Sequence, residues 1–148
     1  MCGRFTLRNK GQVQDLTGEV IEENYNVAPS SNILTITDSH KWRKWSYSPS
    51  WAKEPMNLIN ARSETVREKP SFKESKPCLV LADGWYEWKR DGETKQPYFF
   101  HLDHQMFYIA GIYNESGCVL LTKEANQKLS PIHHRMPIIL KHNEARDY

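Results

Sequence analysis

The second residue of the chain, Cys2, directly follows the initiator Met1. Small second residues permit removal of that methionine, which gives Cys2 a free α-amine beside its thiol. The reference pKa is about 7.7–8.0 for an α-amine and about 8.5 for a thiol, so both supply a nucleophilic form near pH 7. An amine condenses with an aldehyde to a Schiff base, and a neighbouring thiol then closes on the imine carbon as a five-membered thiazolidine. The alternative, which position alone favours, is that Cys2 is a small buried apolar residue.

The stretch INARSET at 59–65 alternates three polar residues. On an extended segment Asn60, Arg62 and Glu64 share one face. The planar guanidinium of Arg62 suits a phosphate, and the amide of Asn60 can orient a hydroxyl or carbonyl group of a substrate. A polar surface strand with local pairing explains the same pattern.

The stretch ADGWYEWK at 82–89 places a carboxyl group between aromatic residues. Glu87 follows an apolar run, and partial dehydration there would raise its pKa toward the range that suits proton transfer near neutrality. On a strand, Trp85 and Glu87 share one face, and Tyr86 and Trp88 share the other. An edge-strand glutamate that points to water is the alternative.

The stretch SPIHHRMP at 130–137 holds two adjacent histidines. His133 can act as a general acid or base, and Arg135 can bind a phosphate. Because neighbouring residues do not share a face, His133 and His134 do not indicate a two-histidine metal site. A solvated loop is the alternative.

The stretch KWSYSPSWAK at 44–53 mixes Trp45, Tyr47 and Trp51 with lysine and proline. Aromatic side chains on such a loop can stack on nucleic-acid bases or wedge between them. They can equally anchor a long loop to an apolar core.

The length and composition of the chain indicate a single domain that needs no disulfide or metal to stabilise its core. The chain has 148 residues, a net charge of +2 and three cysteines. A nucleic-acid role therefore requires a local arrangement of arginines, not bulk charge. The three cysteines, Cys2, Cys78 and Cys118, form neither a disulfide framework nor a C-x-x-C zinc pair. Without a signal peptide or an apolar span, the sequence favours a reduced, cytoplasmic protein, and it indicates no metal or cofactor.

Short apolar and aromatic runs separated by turn signals predict an α+β fold around an antiparallel, partly closed sheet. Turns at RDGE and NESG predict two hairpins, 84–90 with 97–102 and 106–113 with 118–122. Helical spacing predicts a helix within 10–23 and another over 122–133, ended by Pro131. The region 48–77 is predicted to be a long functional loop with at most a short helix.

The motifs together resemble the SRAP family, the SOS response-associated peptidase family, across almost the whole chain. The motifs are MCGRF (1–5), NVAPS (26–30), PSWAK (49–53), INARSET (59–65), ADGWYEW (82–88), AGIY (110–113) and IHHRMPIIL (132–140). The resemblance implies one SRAP-like domain over 1–148, with a mostly antiparallel, partly closed sheet or barrel and few short helices. Family members usually continue with a further helix and strands, so the C-terminal part of the family fold is expected to be missing.

The resemblance also implies an activity. Family members sense abasic sites in single-stranded DNA during the DNA-damage (SOS) response. After removal of the methionine, their terminal cysteine forms a thiazolidine crosslink with the ring-opened sugar, with associated lyase activity. The family name adds an autocatalytic peptidase. The matching catalytic residues here are Cys2, Asn60, Glu87 and His133.

The DNA contacts of the family map onto further residues. Its phosphate-binding arginines match Arg4, Arg62 and Arg135, and Pro29 and Trp45 fall where the family packs against DNA or wedges into it. The loop WSYSPSW departs from the family's W-G-L-I-P-S-W, which puts the geometry of the wedge in question. The expected partner is single-stranded DNA with abasic sites, bound by a monomer associated with the nucleoid. A peptidase acting on protein and a non-catalytic module for single-stranded DNA are the alternatives.

Overall fold

The computed structural model describes residues 2–145 and 148. Within them the chain forms twelve β-strands, one α-helix and one short 3₁₀ helix. In chain order these are β1 (Phe5–Leu7), α1 (Lys10–Thr17), β2 (Asn24–Val27), β3 (Asn32–Ile36), β4 (His40–Lys44), β5 (Asn60–Arg62), the 3₁₀ helix (Pro70–Phe72), β6 (Lys76–Ala82), β7 (Gly84–Asp91), β8 (Thr94–Phe100), β9 (Phe107–Asn114), β10 (Gly117–Glu124), β11 (Arg135–Pro137) and β12 (Ile139–Leu140). No helix among the described residues is long and apolar enough to cross a membrane.

The strands form two sheets. The smaller sheet has the order β2-β1-β7-β8, and the larger has the order β11-β10-β9-β6-β3-β4, with β5 beside β10 and β12 beside β9. All pairs in both sheets are antiparallel except β5 with β10, which is parallel. The prediction of a mostly antiparallel α+β fold is confirmed, and the sheets do not form a closed barrel.

Both predicted hairpins are present. In the β7–β8 hairpin Asp91 pairs with Thr94, and in the β9–β10 hairpin Asn114 pairs with Gly117. Gly117 has a φ of 151° and packs so closely on the Lys44 and Ser46 carbonyl oxygens that a Cβ atom there would collide with them. Glycine is therefore required at this turn, since only it leaves room for the close approach of β4.

The predicted helix within 10–23 forms, but it ends early. Helix α1 stops at Thr17 because Gly18 adopts the left-handed conformation, with a φ of 80°, and its N–H bonds to the Gln14 carbonyl. Glycine takes this conformation without steric cost, which makes it a frequent helix terminator. Val13 is the buried residue of the helix.

The predicted helix over 122–133 is wrong. Its first three residues extend β10, where Thr122 pairs with Pro137 and Glu124 with Arg135. The remainder is a series of turns, in which the Leu129 N–H bonds to Asn126. Pairing with a distant strand outweighed the helical spacing, which carries no information about strand partners.

The region 48–77 is anchored to the body of the protein. Tyr47 and Leu58 form an isolated antiparallel bridge at its start. The Tyr47 hydroxyl donates a 2.8 Å hydrogen bond to the Ser71 carbonyl, and its ring lies 5.2 Å from that of Phe72. This region contributes β5 to the larger sheet and so places Asn60 next to β10.

Candidate active site

Four of the residues singled out in the sequence meet at one place although they lie far apart along the chain. The Asn60 amide donates a hydrogen bond of 3.2 Å to the carbonyl oxygen of Cys2. Nδ1 of His133 lies 3.8 Å from a carboxylate oxygen of Glu87. The charge of Glu87 also raises the pKa of the Cys2 thiol, after the larger effect of burial, so these two groups are close. Segments from both sheets therefore build the site.

Strand β1 holds Cys2 in place from the smaller sheet. Phe5 pairs with Trp85 of β7, and the Arg4 carbonyl accepts a 3.0 Å hydrogen bond from the Tyr86 N–H. The Cys2 side chain is completely buried, at 0% exposure, in the core cluster that also contains Phe5 and Trp85. Because burial disfavours the thiolate, the pKa of Cys2 is raised and the thiol is protonated at neutral pH.

Strand β5 holds Asn60 from the larger sheet. It runs parallel to β10, with Asn60 opposite Leu120, and the Leu120 N–H bonds to the Ile59 carbonyl at 3.0 Å. The amide oxygen of Asn60 is buried and has no hydrogen-bond partner among the described residues. An unsatisfied buried acceptor costs about 1–3 kcal/mol, so this oxygen is well suited to receive a donor from a substrate or from a free α-amine.

Glu87 is buried, with 1% exposure, at the middle of β7. The predicted alternation holds, because Trp85 is buried on the same face while Tyr86 and Trp88 are only half-buried. Burial raises the pKa of the Glu87 carboxyl above its ordinary value. A raised pKa moves this carboxyl toward the range in which such a group both donates and accepts a proton near neutral pH.

His133 lies in the turn before β11, and its side chain is partly open to solvent. Its Nδ1 accepts a 3.1 Å hydrogen bond from the Arg135 N–H, which places the proton of the neutral ring on Nε2. The His134 ring stacks on it with centroids 4.6 Å apart. Burial is the largest cause that lowers the pKa of His133, and the positive charges of the N-terminal amine and then of His134 act in the same direction, which favours the neutral ring at pH 7.

A cleft of about 620 Å³ opens beside Glu87 and His133. It lies between the β7–β8 hairpin and the turn at 130–134, and its other lining residues are Trp88, Arg90, Lys95, Ser130, Ile132 and His134. The sequence reasoning assigned no role to Trp88, Arg90 or Lys95. The predicted hairpin turn at RDGE could have identified Arg90 and Lys95, because the register of that hairpin sets them directly opposite each other.

The predicted DNA contacts differ in how accessible they are. Arg62 is exposed at the end of β5, and Arg4 and Pro29 are half-buried. One terminal nitrogen of Arg4 donates a 2.7 Å hydrogen bond to the Gly3 carbonyl. These three side chains reach the surface. Arg62 lies on the same strand as Asn60, and Arg4 lies with Cys2 in the residues that lead into β1.

Arg135 is only 3% exposed, and its side chain is already engaged. Its two terminal nitrogens donate hydrogen bonds of 2.7 and 2.8 Å to the Glu64 carboxylate, and one also bonds to the Thr122 hydroxyl at 3.0 Å. This bidentate pair lowers the pKa of Glu64 to about 2. In this structure Arg135 links β5 to β11 and presents no free guanidinium edge to a phosphate.

Trp45 lies in the core, with 0% exposure. Its ring packs at 5.2 Å from that of Phe5, and its indole N–H donates a 3.0 Å hydrogen bond to the Ile59 carbonyl. Trp45 therefore has no surface with which to contact DNA, in contrast to its sequence-based expectation. Trp51, on the same loop, is 59% exposed.

Comparisons with known proteins identify relatives of this chain. The family model described as SOS response associated peptidase (SRAP) matches residues 1–148. The abasic site processing protein YoaM of Bacillus subtilis is 37% identical over 180 aligned residues, which cover 100% of this chain and 78% of YoaM. The abasic site processing protein YedK of Escherichia coli is 34% identical over 176, covering 100% of this chain and 79% of YedK.

The fold is also shared with solved structures. A phage-related protein from Bordetella bronchiseptica superposes with a TM-score of 0.78 at 28% identity, covering 99% of this chain and 80% of that one. The antiparallel sheets described above are thus of the type seen in that structure. The chain belongs to the SOS response associated peptidase (SRAP) family.

Proposed function

We propose that this protein processes abasic sites in single-stranded DNA by forming a covalent crosslink through Cys2 once Met1 has been removed. The observation that carries the proposal is the meeting of Cys2 with Asn60, Glu87 and His133 at one site. The names of YoaM and YedK, both abasic site processing proteins, support the choice of substrate.

The crosslink forms in two balanced steps. The α-amine of Cys2 adds to the aldehyde carbon of the ring-opened sugar, and the resulting carbinolamine loses water to give an imine. The thiol then adds across the carbon–nitrogen double bond. Sulfur bonds to the carbon and the thiol proton ends on nitrogen, so the product is a thiazolidine and the net loss is one water.

Glu87 supplies and recovers the proton in this sequence. The protonated carboxyl gives its proton to the leaving hydroxyl of the carbinolamine, and the carboxylate takes back the proton that the nitrogen loses as the imine forms. Glu87 then passes this proton to the imine nitrogen and takes the proton of the Cys2 thiol as sulfur bonds to the carbon. The raised pKa of Glu87 favours its protonated form at the first step. The raised pKa of the thiol keeps sulfur from reacting before the imine has formed.

Asn60 acts on the Cys2 end of the covalent intermediate, and His133 acts on its sugar end. The Asn60 amide fixes the Cys2 carbonyl, and its open oxygen accepts a hydrogen bond from the α-amine. His133 takes a proton from the sugar carbon next to the imine, which expels the 3′ phosphate and accounts for lyase activity. Its lowered pKa keeps the ring in the basic form that this step needs.

Intact-mass spectrometry of the purified protein, with and without an abasic oligonucleotide, tests the proposal. Methionine-free protein should gain the mass of the oligonucleotide less one water. Cys2→Ala should gain nothing, whereas Cys118→Ala, a second buried cysteine, serves as the matched control and should react normally. If methionine-free protein gains no mass from ring-opened sugar, the proposal fails. If Cys2→Ala still binds the oligonucleotide as tightly as wild type and wild type gains no mass, the protein is a binding module.

A self-processing peptidase is a second candidate, favoured by the family description and by the position of Glu87 and His133 beside Cys2. In that reaction the site hydrolyses the peptide bond that precedes Cys2. Adding two residues before Cys2 tests it, because wild type should release them and Glu87→Gln should keep them. Equal retention in both proteins rules the reaction out.

A further inference from the structure

The outer part of the β7–β8 hairpin projects beyond the smaller sheet. Strand β1 pairs with β7 only at Gly84 and Trp85, with one further bond at Tyr86. From Glu87 to Asp91, β8 is the one strand among the described residues that pairs with β7. This outer part of the hairpin forms one wall of the 620 Å³ cleft, and the turn at 130–134 forms the other.

Two cations occupy the outer end of this wall. Arg90 and Lys95 lie directly opposite each other in the hairpin register, both are exposed and both line the cleft. No carboxylate among the described residues lies within 4.0 Å of either one. The positive charge of Arg90 also contributes to the lowered pKa of His133, as expected if the guanidinium faces the site.

Like charges directly opposite each other on an antiparallel pair are destabilising. The acidic residues of the hairpin tip, Asp91 and Glu93, do not line the cleft and form no ion pair with Arg90 or Lys95 within the described part of the chain. A repulsive pair without a local partner, facing a cleft that ends at Glu87 and His133, indicates an anionic ligand between the two side chains.

We propose that Arg90 and Lys95 bind one phosphodiester of the DNA strand next to the abasic nucleotide. The inference rests on the proposed function, and it names the protein groups that grip the strand on the hairpin side of the cleft. The planar fork of Arg90 suits bidentate contact with two phosphate oxygens, and the Lys95 ammonium adds a point charge. The sugar attached to that phosphate then points toward Glu87 and His133.

The test combines a protein change with a DNA change. The double variant Arg90→Gln with Lys95→Gln is compared with wild type on abasic oligonucleotides that carry one uncharged methylphosphonate, placed 5′ or 3′ of the abasic site. For wild type, one of the two placements should raise the concentration for half-maximal crosslinking about tenfold. The double variant should show that loss already with ordinary DNA, and no further loss with the same methylphosphonate.

The control is a double variant of two exposed lysines on other elements, Lys10→Gln on α1 with Lys41→Gln on β4. It makes the same change in net charge and should retain the full response to the methylphosphonate. A second readout is the melting temperature, which should stay equal or rise in the Arg90 and Lys95 double variant because a repulsive pair has been removed.

Several results would overturn the inference. These are independent, additive losses from the protein and DNA changes, an equal loss in the lysine control, or a fall in melting temperature that accounts for the weaker crosslinking. In each case wild type still crosslinks ordinary abasic DNA. Failure of the proposed function gives a different result, because wild type then forms no crosslink with any of the oligonucleotides.

Discussion

Replacing Trp45 with phenylalanine distinguishes a core role for this residue from a DNA-stacking role. The substitution removes the 3.0 Å hydrogen bond to the Ile59 carbonyl and part of the packing on Phe5. A buried hydrogen bond contributes about 0.5–1.5 kcal/mol, and the lost volume at a fully buried site adds a similar amount. We therefore expect Trp45→Phe to lower the free energy of unfolding by about 1–3 kcal/mol. For a chain of this length, a loss of about 2 kcal/mol lowers the melting temperature by about 4–8 °C.

Two assays check this prediction together. Thermal unfolding followed by circular dichroism measures the stability loss. Crosslinking to an abasic oligonucleotide at a temperature well below the transition measures DNA engagement, which should stay within about twofold of wild type because Trp45 has no exposed surface. Trp51→Phe is the matched comparison on the same loop, and its melting temperature should not change. Weaker DNA binding by Trp45→Phe at an unchanged melting temperature would refute the buried placement.

Three further changes test other parts of the structure. Glu64 ionises with a pKa of about 2 in the folded protein, so its stabilising effect is complete above about pH 4.5 and is lost as the pH falls toward 2. Glu64→Gln should therefore lose less stability than wild type between pH 7 and pH 3, measured by urea unfolding at pH 7, 4 and 3. An unchanged dependence of stability on acid pH would contradict this. Burial raises the pKa of Glu87, so its ionisation destabilises the fold as the pH rises above about 4.3. Glu87→Gln should therefore unfold at higher urea than wild type at pH 8 but not at pH 4, while crosslinking slows by about a hundredfold or more; an unchanged crosslinking rate would remove Glu87 from the mechanism. Gly117→Ala should lower the free energy of unfolding by about 1–3 kcal/mol, because its Cβ meets the Ser46 and Lys44 carbonyls, and Gly3→Ala, which meets nothing within 4 Å, should be much milder.

Local chemistry made part of this fold predictable. The hairpin of β7 and β8 follows from the turn signal RDGE between alternating strands: the two turn residues are Gly92 and Glu93, and Gly92 has a φ of 64°. The end of α1 follows in the same way from Gly18. Such features depend on residues within a few positions of one another, so the sequence alone carries the necessary information.

Features that depend on distant partners were not predictable in this way. The segment after Thr122 has helical spacing, yet it continues β10 because residues 135–137 pair with it. Trp45 sits among charged residues in the sequence, and only its contact with Ile59 and Phe5 places it in the core. Local patterns describe which residues alternate, but they do not specify which face of the sheet is covered.

In the candidate site, too, local features were predictable from the sequence and contacts between distant residues were not. Alternation on β7 correctly predicted that Glu87 and Trp85 share a face, and the structure decides between the two alternatives by showing that this face is buried. The contact between Asn60 and Cys2 joins residues 58 positions apart, so the residue types alone favoured the alternative, a polar surface strand. The family resemblance assigned Cys2, Asn60, Glu87 and His133 to one site before the structure was known. It could do so because a family's motifs reflect contacts between distant residues, which local spacing does not.

Glu64 and Glu87 have opposite environments, and this difference separates their roles. Glu64 is held ionised by the two hydrogen bonds from Arg135, so it is unable to exchange a proton near neutral pH. Glu87 is buried, and burial raises its pKa toward the range in which a carboxyl exchanges a proton near neutral pH. When the environments of two titratable groups move their pKa values apart, the groups take different roles. Here the acid–base role falls to Glu87 and the structural role to Glu64. Glu64 follows the strand that carries Asn60, and the N–H of its partner Arg135 donates a hydrogen bond to His133 Nδ1. The Glu64–Arg135 pair therefore connects the Asn60 side of the site to the His133 side.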